Sequence, residues 1–455
     1  MPTAYTILFL LILVVAAATW VIPAGSYDYV DGIPQAGTYH AVPASPQGIG
    51  DVLKAAFSGF YDAVDVCVFI LMVGGFLGVV MKTGAVDAGV GNVIRLLGGR
   101  EKWLIPILML LFGLGGTTYG MWEETMAFYP LLIPVFLAAG YDAVVGISVI
   151  LLGAGAGVIA STVNPFATGI AAGFAGVSLG EGIVLRLLEW VAFEAAAIWF
   201  VMAYAAKVKK NPSKSVVGVG AGKIQVSMDQ QVPFTAKRKV IMALFTLTFL
   251  IMVYAVVPFD EMGLSLPALG WWFPELSALF LVAGVVIGLI DRMSEEELVE
   301  TYVAGCADLL GVAFIIGISR GITVLMNDGA ITDTVLHWGE QALSGAGAIS
   351  FTLLVFALYL PLTILIPSSS GLATLSIPIV APLGKFAGVG GDLVVTAFQS
   401  ASGLVNIITP TAAVVMGALA LGHVPYDRWV KYVWKLILWF LLLALAFLVA
   451  GVLLG

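Results

Sequence analysis

The sequence predicts an all-α polytopic membrane protein made of two inverted-topology repeats, each with a re-entrant hairpin and a broken transmembrane helix. Three observations predict it. The 455 residues are 60% hydrophobic and 11% charged, with a mean hydropathy of +1.05, which excludes a soluble domain. A stretch rich in Gly, Ser, Thr and Pro occurs twice, about 245 residues apart, with its helix-breaking residues at matching places. The Lys and Arg residues fall so that the two copies enter the bilayer from opposite sides.

The first repeat covers residues 1–212. It opens with the apolar run Tyr5–Ile22, long enough to cross a bilayer. Met-Pro-Thr precedes it in place of a positive segment, so it reads as a retained helix and not a signal peptide. Its end, Trp20-Val-Ile-Pro23, is similar to Ala255-Val-Val-Pro258 at the end of the first span of the second half. Val64–Met81 is the next span. A hairpin at 103–137 follows, with GTTYGMWEETMAFYPLLIP at Gly116–Pro134. The broken helix at 144–177 contains GAGAGVIASTVNPFA at Gly153–Ala167, and Ile183–Ala205 closes the repeat.

The second repeat covers residues 236–455. Val240–Val257 is followed by an extra span at 272–290 with no counterpart in the first half, and then by Val303–Met326. The hairpin at 350–383 carries IPSSSGLATLSIPIVAP at Ile366–Pro382; the broken helix at 393–421 carries SGLVNIITPTA at Ser402–Ala412; Tyr432–Leu454 closes the chain. The anchors align: Thr409 on Asn164 and Pro410 on Pro165 at 245 positions, and Pro378 and Pro382 on Pro130 and Pro134 at 248. Met81-Lys-Thr-Gly84-Ala85 likewise matches Met326-Asn-Asp-Gly329-Ala330.

Between the repeats lies the polar linker 207–239, with eight Lys and Arg residues, placed in the cytoplasm by the positive-inside rule. Counting spans from it puts the loop Lys82–Lys102 inside, the acidic segment Pro23–Asp62 outside, and Gly422–Lys435 inside. The extra span reverses the second half, so the hairpin at 350–383 enters from outside and Asn327–Ser344 is external. Sixteen of the 20 Lys and Arg are then cytoplasmic, the others being Lys54, Arg186, Arg320 and Lys385. The loop Asp291–Glu300 is expected inside despite its four Glu and one Asp, since acidic residues weigh little in this rule.

The duplicated breaks mark the candidate site. An unpaired backbone group in hydrocarbon costs several kcal/mol, so irregular backbone persists there only inside protein or around a polar cavity. One proline among hydroxyls commonly just kinks a helix. Two at matched positions imply a site, and inverted halves with such breaks are the plan of secondary transporters. Pro165 and Pro410 remove helix hydrogen bonds. Beside them stand Ser161, Thr162 and Asn164 in one half and Asn406, Thr409 and Thr411 in the other. Broken helix ends offer amides to anions and carbonyls to cations.

The hairpin tips differ. The second offers Ser368, Ser369, Ser370 and Thr374 around Gly371. The first, with Thr118, carries Glu123 and Glu124, and an ionisable residue at membrane depth implies function. Adjacent residues do not share a helix face, so one carboxylate is expected to face the cavity and the other to cap the following helix or pair elsewhere. A tip reaching water would leave both merely solvated. Glu194 and Arg320 lie within spans and read as a structural ion pair, a proton site or a substrate contact, Arg320 first as scaffold. Gln399 and Ser402 are weaker cavity candidates. Cys67 and Cys306 read as packing residues, and His40, His337 and His423 form no ligand-spaced cluster, so no metal site is expected. No basic patch interleaved with aromatics points to nucleic acid.

At WVIPAG, GMWEET…FYPLLIP, LLGAGAG…STVNPF, IPSSSG and NIITPT the chain resembles the YfcC-like branch of the C4-dicarboxylate anaerobic carrier family, which includes basic amino-acid antiporters. The resemblance extends over nearly the whole chain. More distantly, the plan is similar to the ion transporter superfamily of divalent-anion/sodium symporters. It implies a homodimeric elevator in a prokaryotic inner membrane, with Ser161, Asn164, Ser369, Asn406 and Thr409 facing substrate or coupling ion. Where the sodium/dicarboxylate relatives carry a neutral Ser-Asn-Thr tip, this chain has Glu-Glu, which would repel a bound dianion by several kcal/mol unless protonated.

The expected function is therefore an ion-coupled secondary active transporter or exchanger of a small, cationic amino acid such as arginine or ornithine. Its carboxylate would meet Ser161–Asn164 or Ser368–Ser370 and its amine Glu123 or Glu124. A C4-dicarboxylate carrier, with the Glu pair as proton site, is the alternative; a channel is the second alternative, and no catalytic pair suggests an enzyme. Sodium coupling would use Asn164, Asn406, hydroxyls and carbonyls; proton coupling would use Glu123, Glu124 and Glu194.

Overall fold

A computed structural model describes residues 4–30, 33–86, 88–89, 100–178, 180–218, 233–256, 266–267, 269–271 and 273–454. The expectations for Arg95, for Lys223 and the middle of the linker, and for Trp272 at the start of the extra span lie outside the described residues.

The chain is mostly helical, with several apolar helices. After α1 (Ala4–Ala18) come four two-residue strands, β1 (Gly25–Ser26), β2 (Tyr29–Val30), β3 (Ile33–Pro34) and β4 (His40–Ala41), then α2 (Ile49–Asp62) and α3 (Val64–Lys82). β1 pairs with β4 and β2 with β3, both antiparallel. The first hairpin is α4 (Leu104–Tyr119), a 3₁₀ tip (Glu123–Phe128) and α5 (Tyr129–Ala138). The first interrupted helix is α6 (Ala143–Ile159), a π-turn (Pro165–Gly169) and α7 (Ile170–Ala175), followed by the long α8 (Ile183–Lys210).

The second half comprises α9 (Ala236–Val256), α10 (Phe273–Asp291), α11 (Glu295–Asp328), α12 (Thr332–Leu343), α13 (Ala348–Leu365), α14 (Ser369–Phe386), α15 (Gly391–Asn406), α16 (Ala413–Leu421) and α17 (Tyr426–Leu454). Among the described residues, five helices are long and apolar enough to cross a membrane: α3, α10, α11, α13 and α17.

Two packing groups emerge. α11 lies against α1, α2 and α3, with α10 on α3. Glycines let these backbones touch: a Cβ at Gly74 would lie 2.5 Å from the Gly305 carbonyl oxygen. Phe76, Phe245, Phe249 and Phe280 interlock within the same group. In the second group α6 packs on α4, α5, α8 and α15, while α13, α15 and α17 pack together. α16 joins the groups by lying on α11.

The structure corrects the acidic loop at 291–300. Helix α11 begins at Glu295, so most of that stretch lies in its first two turns. Ser294 caps it by accepting the Glu297 N–H at 3.1 Å, and three glutamates sit where the helix dipole favours negative charge. Lys237 reaches Asp291 at 2.6 Å and Lys82 reaches Glu297 at 3.7 Å, so lysines from the linker end and from α3 answer the acidic run.

Candidate functional site

The two interrupted helices meet at their breaks. A Cβ on Gly403 would fall 2.6 Å from the Ile159 Cα, and one on Gly155 would overlap the Ile407 side chain. Glycine at both positions lets α6 and α15 cross closely just before their chains unravel. Gln399 Nε2 donates to the Val158 carbonyl at 2.7 Å and ties the helices together.

The first hairpin tip comes to the first break. Thr117, near the end of α4, donates to the Ala160 carbonyl at 2.8 Å, and its own carbonyl accepts the Thr162 N–H at 2.8 Å. Gly120 turns the chain with φ +78°, a conformation glycine adopts without strain, and lies against the Asn164 side chain. In the second half, Ser368 caps α14 by accepting the Gly371 N–H at 3.2 Å.

Between the tips, the breaks and α11 lies a cavity of about 210 Å³. That is smaller than the ~300–1,000 Å³ clefts that hold drug-sized ligands and suits a small metabolite. Of the residues singled out in the sequence, Glu123, Glu124, Asn164, Arg320, Ser368, Ser369, Ser370, Asn406 and Thr411 line it. Ser161, Thr162, Thr409 and Thr118 do not. Ser161 is buried without a hydrogen-bond partner among the described residues. Thr162 is bound to Thr117, and Thr409 to Thr411 at 2.9 Å. Thr118 donates to the Leu114 carbonyl of its own helix. Glu194 is buried away from the cavity, against Gly113 of α4.

The cavity also holds two carboxylates the sequence left unassigned, and the Arg320 it read first as scaffold. Asp62 and Asp65, at the junction of α2 and α3, line it, as does Arg320 of α11, which lies 3.7 Å from Asp62. Arg320 and Asp65 are both within electrostatic reach of Glu123. Glu124 turns back, accepting the Trp122 N–H at 3.1 Å. The carboxyls therefore differ in role, Glu123 toward the charged wall and Glu124 toward its own tip. The described lining holds four acidic residues, one Arg and no Lys or His. A lone Arg inside an apolar span was the available signal for Arg320; Asp62 read as the end of the outer acidic segment, and Asp65, at the start of the span Val64–Met81, was not singled out.

Several carbonyls released at the breaks already have partners. Trp429 Nε1 donates to Ile407 at 3.2 Å, Tyr426 to Ile408 at 2.8 Å, and Ser319 to Thr411. One acceptor position of each of these oxygens is engaged by a side chain, which leaves them weaker ligands for a cation than free carbonyls.

A larger cavity of about 1010 Å³ opens between α1, α11, α16 and the start of α17. It contains none of the site residues picked out from the sequence.

The family model for the C4-dicarboxylate anaerobic carrier matches residues 1–453. An uncharacterised protein of Haemophilus influenzae is 35% identical over 503 aligned positions, which take in 99% of this chain and 97% of that one. YfcC of Escherichia coli, provisionally named a basic amino acid antiporter, is 30% identical over 480 positions, 95% of this chain and 92% of its own. Two solved structures are similar over almost the full chain. The YdaH transporter of Alcanivorax borkumensis gives a TM-score of 0.46 at 15% identity, covering 98% of both chains. MtrF of Neisseria gonorrhoeae, described within a class of antimetabolite efflux pumps, gives 0.45 at 17%, covering 98% of this chain and 94% of that one.

Proposed function

The chain belongs to the C4-dicarboxylate anaerobic carrier family, whose members are membrane transporters and not enzymes, and from that premise we propose that it carries a cationic amino acid, arginine- or ornithine-like, in an ion-coupled exchange or symport. The observation that carries this reading is the charge of the cavity: Asp62, Asp65, Glu123 and Glu124 against Arg320 alone. A dianion there meets an excess of like charge in a water-poor space, at a cost of several kcal/mol. An amino acid with a cationic side chain brings two ammonium-type groups and one carboxylate. Its carboxylate pairs with Arg320, Asn164, Asn406 and the Ser368–Ser370 tip, and its cations face Glu123 and the aspartates. The name of YfcC is in keeping with this substrate class.

The second reading is C4-dicarboxylate transport coupled to H⁺ or Na⁺. Arg320 and the donor-rich Ser368–Ser370 tip favour it, and it requires the glutamates to be neutral when the anion binds. Channel conduction has no observation in its support.

In either reading the two halves act as inverted repeats in a prokaryotic inner membrane, with the 207–239 linker cytoplasmic and the chain a homodimer. The group containing the hairpins and broken helices moves as an elevator against α1–α3, α10 and α11. The contact of cavity residues from both groups supports this, since substrate then bridges the moving surfaces.

Counterflow in proteoliposomes tests the assignment, with labelled ornithine and labelled succinate offered to vesicles preloaded with each. Exchange of ornithine is the expected result. Exchange of succinate alone would overturn the cationic reading and leave the dicarboxylate one.

A further inference from the structure

Helix α8 carries two carboxyls inside its apolar length that the cavity does not use. Glu189 and Glu194 lie about 9 and 16 Å along it at 1.5 Å per residue. Glu189 is 0% exposed and Glu194 is 2% exposed. Among the described residues, neither oxygen of Glu194 has a hydrogen-bond partner, and only one oxygen of Glu189 does, accepting the Ser400 hydroxyl at 2.8 Å.

The surroundings of Glu194 are sealed and uncharged. It lies against Gly113 of α4, where a Cβ would overlap its carboxyl, so the bare backbone of the hairpin arm covers it. Gly113 is pressed from the other side by Gly157 of α6. No charged residue occurs in α4 or α6, and those of α17 are confined to its first ten residues. The Trp190 indole, four residues earlier on α8, is close enough to lean its N–H toward the carboxyl, though it makes no well-formed hydrogen bond to it. An isolated carboxylate in such a place is far costlier than a neutral acid, so the group takes up a proton instead.

Glu189 is set differently. Arg186, one turn earlier, is within electrostatic reach of it and of Asp392 at the start of α15, and donates to the Glu181 carbonyl at 3.0 Å. From α15, Ser400 reaches Glu189, while its neighbour Gln399 holds the Val158 carbonyl. Val158 lines the substrate cavity, so α15 links the carboxyl of α8 to the cavity wall.

We infer that Glu189 and Glu194 are the proton-binding groups that couple transport, a site on α8 separate from the cavity that holds substrate. The inference rests on the transporter reading above. Glu194 is the carrier group: it is neutral while α4 covers it and releases its proton when movement of the hairpin arm admits water. Glu189, beside Arg186 and joined to the cavity wall through Ser400 and Gln399, is the neighbouring relay.

Two measurements test it. In membranes at neutral pH, the infrared absorption of neutral carboxyls should be present in the wild type and lose one component in Glu194→Gln, the remainder belonging to Glu189 and the other buried carboxyls. The wild-type absorption alone, followed against pH, gives an answer even where a variant fails to assemble. Absence of any neutral-carboxyl absorption, or an identical absorption in Glu194→Gln, overturns the assignment. In proteoliposomes, a gradient of one pH unit should drive accumulation of labelled ornithine about tenfold for one proton per substrate. Glu194→Gln should keep exchange and lose that accumulation, and Glu189→Gln should weaken it. Accumulation by Glu194→Gln equal to wild type refutes the coupling role. If the wild type exchanges neither ornithine nor succinate, the substrate reading fails instead, and the infrared result still decides whether Glu194 holds a proton.

Discussion

Gly120 and Asn164 meet without room for a side chain between them: a Cβ on Gly120 would lie 2.5 Å from the Asn164 amide nitrogen. The tip of one hairpin is thereby seated on the break of the neighbouring helix, and both residues line the central cavity. Gly120→Ala should pay about 1–2 kcal/mol for its left-handed backbone and push Asn164 aside as well. Transport is expected to fall about tenfold or more while the protein still inserts and purifies. Uptake rates normalised to the amount of reconstituted protein check this; an unimpaired Gly120→Ala carrier would show that the seating is not needed.

Arg320 is the one cationic side chain in the described cavity lining. A hydrogen bond to a charged group contributes about 1.5–3 kcal/mol, so Arg320→Ala should raise KM for an amino-acid substrate about 10- to 150-fold. Asp62→Asn removes only the half-exposed partner 3.7 Å away, a surface-type pair that contributes little to folding. Its melting temperature should stay close to wild type. Comparing KM and thermal stability of the two variants separates substrate binding by Arg320 from a scaffold role.

The interruptions at Pro165 and Pro410 were legible because proline lacks the N–H a helix needs, and both helices do end just before them, at Ile159 and Asn406. The tips were legible because Glu123, Glu124 and Ser368–Ser370 are polar residues inside apolar sequence, and all five line the cavity. Hydroxyls near the breaks were less informative. Ser161, Thr162 and Thr409 have the right chemistry, but each faces packed protein, and side-chain direction at an irregular turn is not written in residue spacing. Asp62 and Asp65 were missed for another reason. They reach the cavity only through packing of α2 and α3 on α11, a contact across some 250 residues of sequence. The start of α11 was readable in principle, since Ser294 before three glutamates is a capping pattern.

On the side assigned to the exterior, the strands β1–β4 are clamped to α12. Tyr27 donates to Glu340 at 2.8 Å, Tyr29 donates to Asp333 at 2.7 Å, and Tyr39 stacks on His337 at 4.0 Å. Burial, and then the carboxylate each phenol touches, push the Tyr27 and Tyr29 hydroxyls above their usual range. A folded-state pKa raised above the unfolded value of about 10 means stability that is complete below pH 10 and lost as pH rises beyond it. The clamp should therefore loosen in alkali, seen as faster proteolysis of the segment 25–41. Tyr27→Phe, which cannot ionise, should shift that loss to higher pH while giving up about 1 kcal/mol from the missing hydrogen bond at neutral pH.

The second break is closed from α17. Trp429 donates to the Ile407 carbonyl at 3.2 Å in a buried position, and Tyr426 donates to Ile408 at 2.8 Å where the pair is only partly buried. A buried carbonyl left without a donor costs about 1–3 kcal/mol, whereas water can replace a donor at a partly open position. Trp429→Phe should therefore lower thermal stability clearly and Tyr426→Phe only slightly. The same variants test how cations use the break. With the donors in place, sodium should leave the melting temperature of the wild type unaffected through these two oxygens. Freeing Ile407 creates an oxygen that can ligate a hard cation, so stability of Trp429→Phe should rise with sodium more than that of the wild type. A sodium response equal in all three proteins would place any cation elsewhere in the site.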